Sequence, residues 1–285
     1  MRHKDLARFI QLREDARLRK EEPAKRVTRK PDSIITTYRF CNVRRNDDRV
    51  TKYVLDNFLP IFDNNHWFAA VVARLFNNEP TLMAIASYVV PFRPREMRKV
   101  LHARKVTGTK NFNAAYIVST NGRAMDKVDY VIDVVLLSLW DKRAAINRAL
   151  EGATLEQAHE LLMRQQGLGS FMAAQVLADI KYLEPRRWKD FHTFAASGPG
   201  SLRGIKRVFD LDIKAPMTEA RFRANLLLLR KKVNDVLMEK YGWTEPLTAQ
   251  DLQNCLCEFD KYERARLEEG RPKQIYKPFI KEEVK

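Results

Sequence analysis

Residues Leu161–Phe209 read LLMRQQGLGSFMAAQVLADIKYLEPRRWKDFHTFAASGPGSLRGIKRVF. Apolar residues recur at helical spacing up to Gln166. Gly167-Leu168-Gly169 then interrupts the pattern, and a second periodic run opens near Ser170. Two glycines around one apolar residue allow a tight turn whose amides stay uncovered. At the start of the second helix those N–H groups and the helix dipole suit a phosphate. The same turn is also a common way to end a helix, and the Gly-Leu-Gly triplet alone does not separate the two readings. A second glycine element, Gly198-Pro199-Gly200-Ser201, leads into a predicted helix from Ser201 through Phe209. Its amides, with Arg203, Lys206 and Arg207 close by, form either a phosphate or pyrophosphate cradle or merely a tight loop. No G-x4-G-K-[S/T] occurs anywhere, which excludes a kinase-type phosphate loop.

Outward from this stretch, helical periods dominate and glycine is scarce, at 10 residues. Asp56–Asn78 reads as a buried helix after Pro60. Thr81–Val90 reads as a short helix closed by Pro91 and Pro94. Asp126–Ala149, with the apolar run Val131–Trp140, reads as a central core helix. Thr154 and Gln157 have capping-box spacing. Glu219–Lys240 and Leu247–Leu267 are predicted long helices, with Cys255 on the core face of the second. Ser33–Val43 is β-branched and aromatic and reads as extended chain or a short strand. The expectation is a mainly α protein. It comprises a basic arm over 1–30, a helical catalytic domain over 31–270 divisible into lobes 31–150 and 151–270, and a tail over 271–285. Both ends are expected to order only on a partner.

Composition bounds the function. The chain has 285 residues, and 52 Lys and Arg against 36 Asp and Glu leave a net charge of +16. Residues 1–30 hold eleven basic against five acidic residues, and residues 91–110 hold seven against one. The surplus is therefore patchy, as a polyanion-binding surface requires, and Arg95, Arg98 and Lys99 are candidate DNA contacts. A solvated surface is the plain alternative. With 45% hydrophobic residues a sizeable core is available, which excludes a wholly disordered basic tail. Cys41, Cys255 and Cys257 are too few for a disulfide framework and suit a reducing, cytoplasmic compartment. No apolar run approaches a membrane span, and the opening MRHKDLARFIQLRED lacks the apolar core of a signal peptide.

Asp190 follows Gly169 by 21 residues, within Asp190-Phe191-His192. A hairpin followed by an aspartate at that spacing resembles the helix-hairpin-helix DNA glycosylases and implies a glycosylase-like helical bundle. The resemblance implies that Gly167, Gly169 and Ser170 contact DNA and that Asp190 faces a flipped base. A helix cap is the structural alternative for Asp190. Phe171 stands where some of those enzymes carry a lyase lysine, and a four-cysteine cluster is missing, so ordinary base excision does not follow. His192 is the one histidine within this constellation, and no zinc site is expected.

Two further motifs complete the pattern. In RFCNVRRNDDRV, Arg39, Asn42 and Arg44 are candidates to line a cleft. In LQNCLCEFDKYERA, Glu258 and Lys261 lie one helical turn apart, which is also the spacing of an ordinary surface ion pair. Together with QQGLGSFMAAQVLADI and SGPGSLRGIKRV, in this order, they resemble the α-glutamyl/putrescinyl thymine pyrophosphorylases of bacteriophages with hypermodified DNA. That family is related to the helical domain fused to 5-hydroxymethyluracil DNA kinases. The resemblance runs from about Tyr38 to Tyr276.

What it implies is chemistry on double-stranded DNA. An upstream kinase places pyrophosphate on the 5-hydroxymethyl group of uracil, and the enzyme exchanges it for an amine, either a polyamine or an amino acid. On that reading Gly198, Pro199, Gly200 and Arg203, with Arg39, Asn42, Arg44 and Lys261, hold pyrophosphate or substrate. Asp190, then Asp179 and Glu258, are the candidate carboxylates for the amine. No cofactor is required, although Mg²⁺ would assist with pyrophosphate. Two other readings of the same residues stay open: a monofunctional DNA glycosylase, and a non-catalytic DNA-binding module that recruits a base-modifying enzyme.

Overall fold

The computed structural model describes residues 1–22, 27, 29–62, 65–113, 118–270, 272 and 274–276. Among them are fourteen α-helices and no strand beyond a single antiparallel bridge between Tyr38 and Ile275. In chain order the first seven are α1 (His3–Glu21), α2 (Ser33–Thr37), α3 (Arg49–Tyr53), α4 (His66–Phe76), α5 (Glu79–Ile85), α6 (Pro94–Val106) and α7 (Lys127–Asp129). The rest are α8 (Leu137–Asp141), α9 (Arg143–Leu150), α10 (Leu155–Met163), α11 (Gly169–Leu183), α12 (Pro199–Phe209), α13 (Glu219–Tyr241) and α14 (Ala249–Arg266). Local chemistry sets many of their ends. Asp32, Asp48, Asn78, Asp126, Thr154, Thr218 and Thr248 each accept a first-turn N–H. The Thr154–Gln157 capping box forms as its spacing predicts. None of the helices is long and apolar enough to cross a membrane.

The chain divides into two units, Met1–Asp47 with His192–Lys285, and Asp48–Phe191. These boundaries differ from a split at residue 150. The tail predicted over 271–285 lies outside the described residues except at 272 and 274–276.

In the first unit α1, α13 and α14 pack around Leu6, Phe9, Ile10, Leu226, Val233, Leu252 and Phe259. The predicted basic arm is therefore largely a core helix, His3–Glu21. Leu6, Phe9 and Ile10 recur at helical spacing, and each fully buried side chain of this kind contributes about 1.5–3 kcal/mol. Phe9 stacks obliquely on Tyr262 and Phe259, with ring centroids 4.9 and 5.5 Å apart. The expected extended segment over Ser33–Val43 begins instead as α2. Asp32 accepts from the amides of Ile34 and Ile35, and this cap turns a β-branched run into a helix.

Helices α12 and α14 meet at two glycines. A Cβ on Gly204 would stand 2.0 Å from the Leu256 carbonyl oxygen, and one on Gly200 would stand 2.3 Å from Cys257 Sγ. The helices thus approach more closely than any larger residue would permit.

In the second unit α4 is buried on nearly every face, and α11 packs on both α4 and α10. The predicted central helix over Asp126–Ala149 is a run of α7, a π-helical stretch (Tyr130–Leu136), α8 and α9. At the centre lies an ion pair sealed from solvent, with Arg74 1% and Asp179 0% exposed. Arg74 Nε and Nη2 each donate to an Asp179 oxygen at 2.5 Å. Nη1 donates to Asn77 Oδ1 at 2.9 Å, and Nη2 also donates to Thr51 Oγ1 at 3.0 Å.

Breaking such a pair leaves a buried charge with no counterion. Arg74→Met should therefore destabilise the protein by about 3–5 kcal/mol. The double variant Arg74→Met/Asp179→Leu should recover most of that loss. Urea unfolding of both variants measures the difference.

Candidate functional site

The glycine hairpin forms in the second unit. Helix α10 ends at Met163 and α11 opens at Gly169, with Gly167 at φ +86° and Gly169 at φ +53°. A Cβ at Gly167 would stand 2.4 Å from Val135 Cγ2, so this glycine answers both a left-handed backbone and a close neighbour. Leu168 is buried as the plug of the turn, while Gly167, Gly169 and Ser170 are exposed. His159, on α10, donates from Nε2 to the Ser170 carbonyl at 3.0 Å and braces the turn. The result is a helix start with exposed backbone, the form that accepts an anion.

Asp190 belongs to the same unit and ties down the other end of α10. Oδ1 accepts from the Leu155 amide at 2.8 Å and Oδ2 from the Glu156 amide at 3.0 Å. The sequence reading places Asp190 against a flipped base. In the structure both its oxygens hold backbone amides at a helix N-terminus, where a carboxylate also meets the positive end of the dipole. Asp179 is corrected more sharply. It is closed to solvent and bound bidentately by Arg74, so it serves the core and reaches no substrate.

In the first unit, α14 gathers three of the motifs. Glu258 is buried. It accepts the Cys41 amide at 3.0 Å and pairs with Lys261 Nζ at 2.6 Å. Lys261 also donates to the Arg39 carbonyl at 3.1 Å and lies 4.9 Å from the centre of the Phe40 ring. Glu258 and Lys261 therefore fasten the Arg39–Val43 segment instead of forming a loose surface pair. The Arg39 guanidinium itself is exposed, with no acceptor among the described residues. Asn42 Nδ2 donates to the Asp47 carbonyl at 2.7 Å and shapes its own turn. Arg44 donates to the Glu245 carbonyl at 2.6 Å and lies over Trp243. Arg13, which no sequence motif singles out, clamps this segment through the carbonyls of Cys41 and Asn42.

The expected cradle at Gly198-Pro199-Gly200 is corrected as well. The Gly198 amide donates to Ser201 Oγ at 2.9 Å, and Pro199 has no amide to offer. Gly200 is occupied by the approach of Cys257. Arg203 remains half-exposed, bound through Nε to Asp260. Burial pushes the Cys255 thiol up to about 11 and raises that of Cys257, so neither is a ready nucleophile.

The basic patch lies on α6 in the second unit. Arg95 and Lys99 carry no ion-pair partner among the described residues. Arg98 differs, because it pairs with Asp129 at 3.2 Å and with Asp133. Close by, ligand atoms of His102, Asp126 and Asp129 lie within 4.8 Å of one another, a grouping the scattered histidines did not suggest. Lys105 Nζ sits 2.5 Å from Asp126 and holds its carboxyl below the usual range. With Arg98 on Asp129, the protein's own cations already answer this cluster.

The family model of the 5-hmdU DNA kinase helical domain matches residues 2–271. A relative, the 5-hmdU DNA kinase of Bacillus phage SP10, is 25% identical over 203 residues, covering 63% of this chain and 32% of that protein. The chain thus spans about a third of the length of the curated relative it matches. No solved structure matches.

The differing environments on α6 generate a test. Arg95→Glu/Lys99→Glu should flatten the salt dependence of duplex binding by about 0.9 in log K against log salt for each phosphate no longer neutralised. Arg98→Ala should leave that slope nearly unchanged. Fluorescence anisotropy over a salt series reads both.

Proposed function

The chain belongs to the family of 5-hmdU DNA kinase helical domains, and from that membership we propose that it modifies thymine-derived bases in DNA. The reaction we assign is the exchange of pyrophosphate for an amine on 5-pyrophosphorylmethyl uracil within the duplex. The family match over nearly the whole chain is the observation that carries this reading. The exposed Gly167–Ser170 turn supports it as a phosphate-binding element on a glycosylase-like scaffold, and the α6 patch as a contact to the same polymer.

The chemistry sets the requirements. An amine nitrogen attacks the 5-methylene carbon, the carbon–oxygen bond to pyrophosphate breaks, and pyrophosphate departs with the electron pair. The new ammonium then gives up a proton. A base stacked in a duplex must be everted before its 5-substituent can enter a pocket. Solvent-accessible guanidinium groups such as those of Arg39 and Arg203 suit the developing charge on the leaving group. Asp179 and Glu258 are buried and both oxygens of Asp190 hold the Leu155 and Glu156 amides, so we assign none of the three to the amine. The substrates on this reading are modified double-stranded DNA and a polyamine or amino acid, downstream of a 5-hydroxymethyluracil DNA kinase.

The test supplies duplex DNA containing 5-pyrophosphorylmethyl uracil with glycine, glutamate or putrescine, followed by nucleoside mass spectrometry. The expected result is a nucleoside carrying the amine, with pyrophosphate released. Abasic sites would point to a glycosylase, and bound but unchanged DNA to a recruiting module.

A further inference from the structure

Three arginines of the first unit converge on one buried carboxylate. Asp260, on α14, is 1% exposed. Its Oδ2 accepts from Arg203 Nε at 2.8 Å and its Oδ1 from Arg207 Nε at 2.8 Å, both residues of α12. Arg264, one turn further along α14, brings its Nε to 3.4 Å from the same Oδ2.

The three cations are not equivalent. Arg207 is closed, because it is 8% exposed and its terminal nitrogens pair with Glu269. Arg203 is 39% exposed and spends only Nε, leaving both terminal nitrogens with no acceptor among the described residues. Arg264 is 37% exposed. Its contact with Asp260 lacks hydrogen-bond geometry, and its Nε is a buried donor without a hydrogen-bond partner. A buried unsatisfied donor is costly, and a guanidinium offers five donors in a fixed fork. Asp260 and Glu269 balance two of the three charges, and the excess rests on the two open forks. Like charges are held together here against a single oxygen, an arrangement that an added anion would relieve.

We propose that Arg203 and Arg264, fixed against Asp260, form a clamp for a phosphate-class anion. Two planar forks side by side match the paired oxygens of pyrophosphate or of a DNA phosphodiester. The clamp deepens the proposed function, and its place in a pyrophosphate-releasing reaction rests on that reading. Anion binding itself is measurable without turnover.

The experiment titrates inorganic pyrophosphate into the full chain while following the arginine Nε–H resonances by NMR and the heat of binding by calorimetry. The Arg203 and Arg264 resonances should shift saturably. Arg203→Gln/Arg264→Gln should weaken binding at least tenfold with the melting midpoint retained. The wild-type resonances report binding even if that variant fails to fold. A duplex without modified bases separates the two sources of phosphate. If the clamp holds phosphodiesters, the salt slope of the double variant falls by about 0.9 for each phosphate released, whereas a pyrophosphate site leaves the slope intact. Resonances that stay still with both ligands, or variant affinities equal to wild type for both, would overturn the proposal. Amine transfer failing while pyrophosphate still binds would remove the transferase reading and keep the clamp.

Discussion

The close approach of α12 and α14 is the constraint on which the first unit depends. At Gly204 the space for a side chain is filled by the Leu256 carbonyl, and at Gly200 by Cys257. Because the two helices touch at backbone distance, Arg203 and Arg207 reach Asp260 through their Nε atoms. The same placement sets Gln253 to donate to Ser201 Oγ at 3.2 Å. On the neighbouring turns of α14, Glu258 and Lys261 hold the Arg39–Val43 segment. Three sequence motifs, far apart along the chain, are thereby gathered on one helix.

The second unit is organised by a different pair of devices. The Arg74–Asp179 ion pair joins α4 to α11 inside the core, where every nitrogen of the Arg74 guanidinium donates a hydrogen bond. Asp190 and the Thr154–Gln157 capping box satisfy the amides at the start of α10, so the helix feeding the hairpin is fixed at its origin. The hairpin can then expose Gly169 and Ser170 while Leu168 and His159 keep it in shape. In both units, charged residues that resemble catalytic candidates do structural work, and neighbouring residues carry the exposed charge.

The legible parts of this molecule are those whose signals are local. A capping box, a Gly-Leu-Gly turn and the periodicity of α13 and α14 depend on neighbours within a few residues, and each is present where the spacing predicts. The α1 helix is hidden in the sequence because Gln11, Arg13 and Asp15 are buried beside its apolar residues, each answered by a distant partner. Asp190 finds its amides 34 and 35 residues away, a distance no spacing rule reaches. Gly198–Gly200 is ambiguous for a physical reason. A phosphate cradle and a tight helix crossing both require a missing side chain, and only the partner shows which one is present. The Asp260 cluster leaves a fainter trace, since Arg203 with Arg207 and Asp260 with Arg264 each share one face of a helix at i, i+4.

The claim that glycine-permitted contact assembles the first unit is tested most directly by urea unfolding of Gly204→Ala. A Cβ there meets backbone, which has no rotamer to yield, so the account predicts a loss of at least ~2 kcal/mol, as for an overpacked core. A stability within ~0.5 kcal/mol of wild type, the range of a neutral surface change, would contradict it.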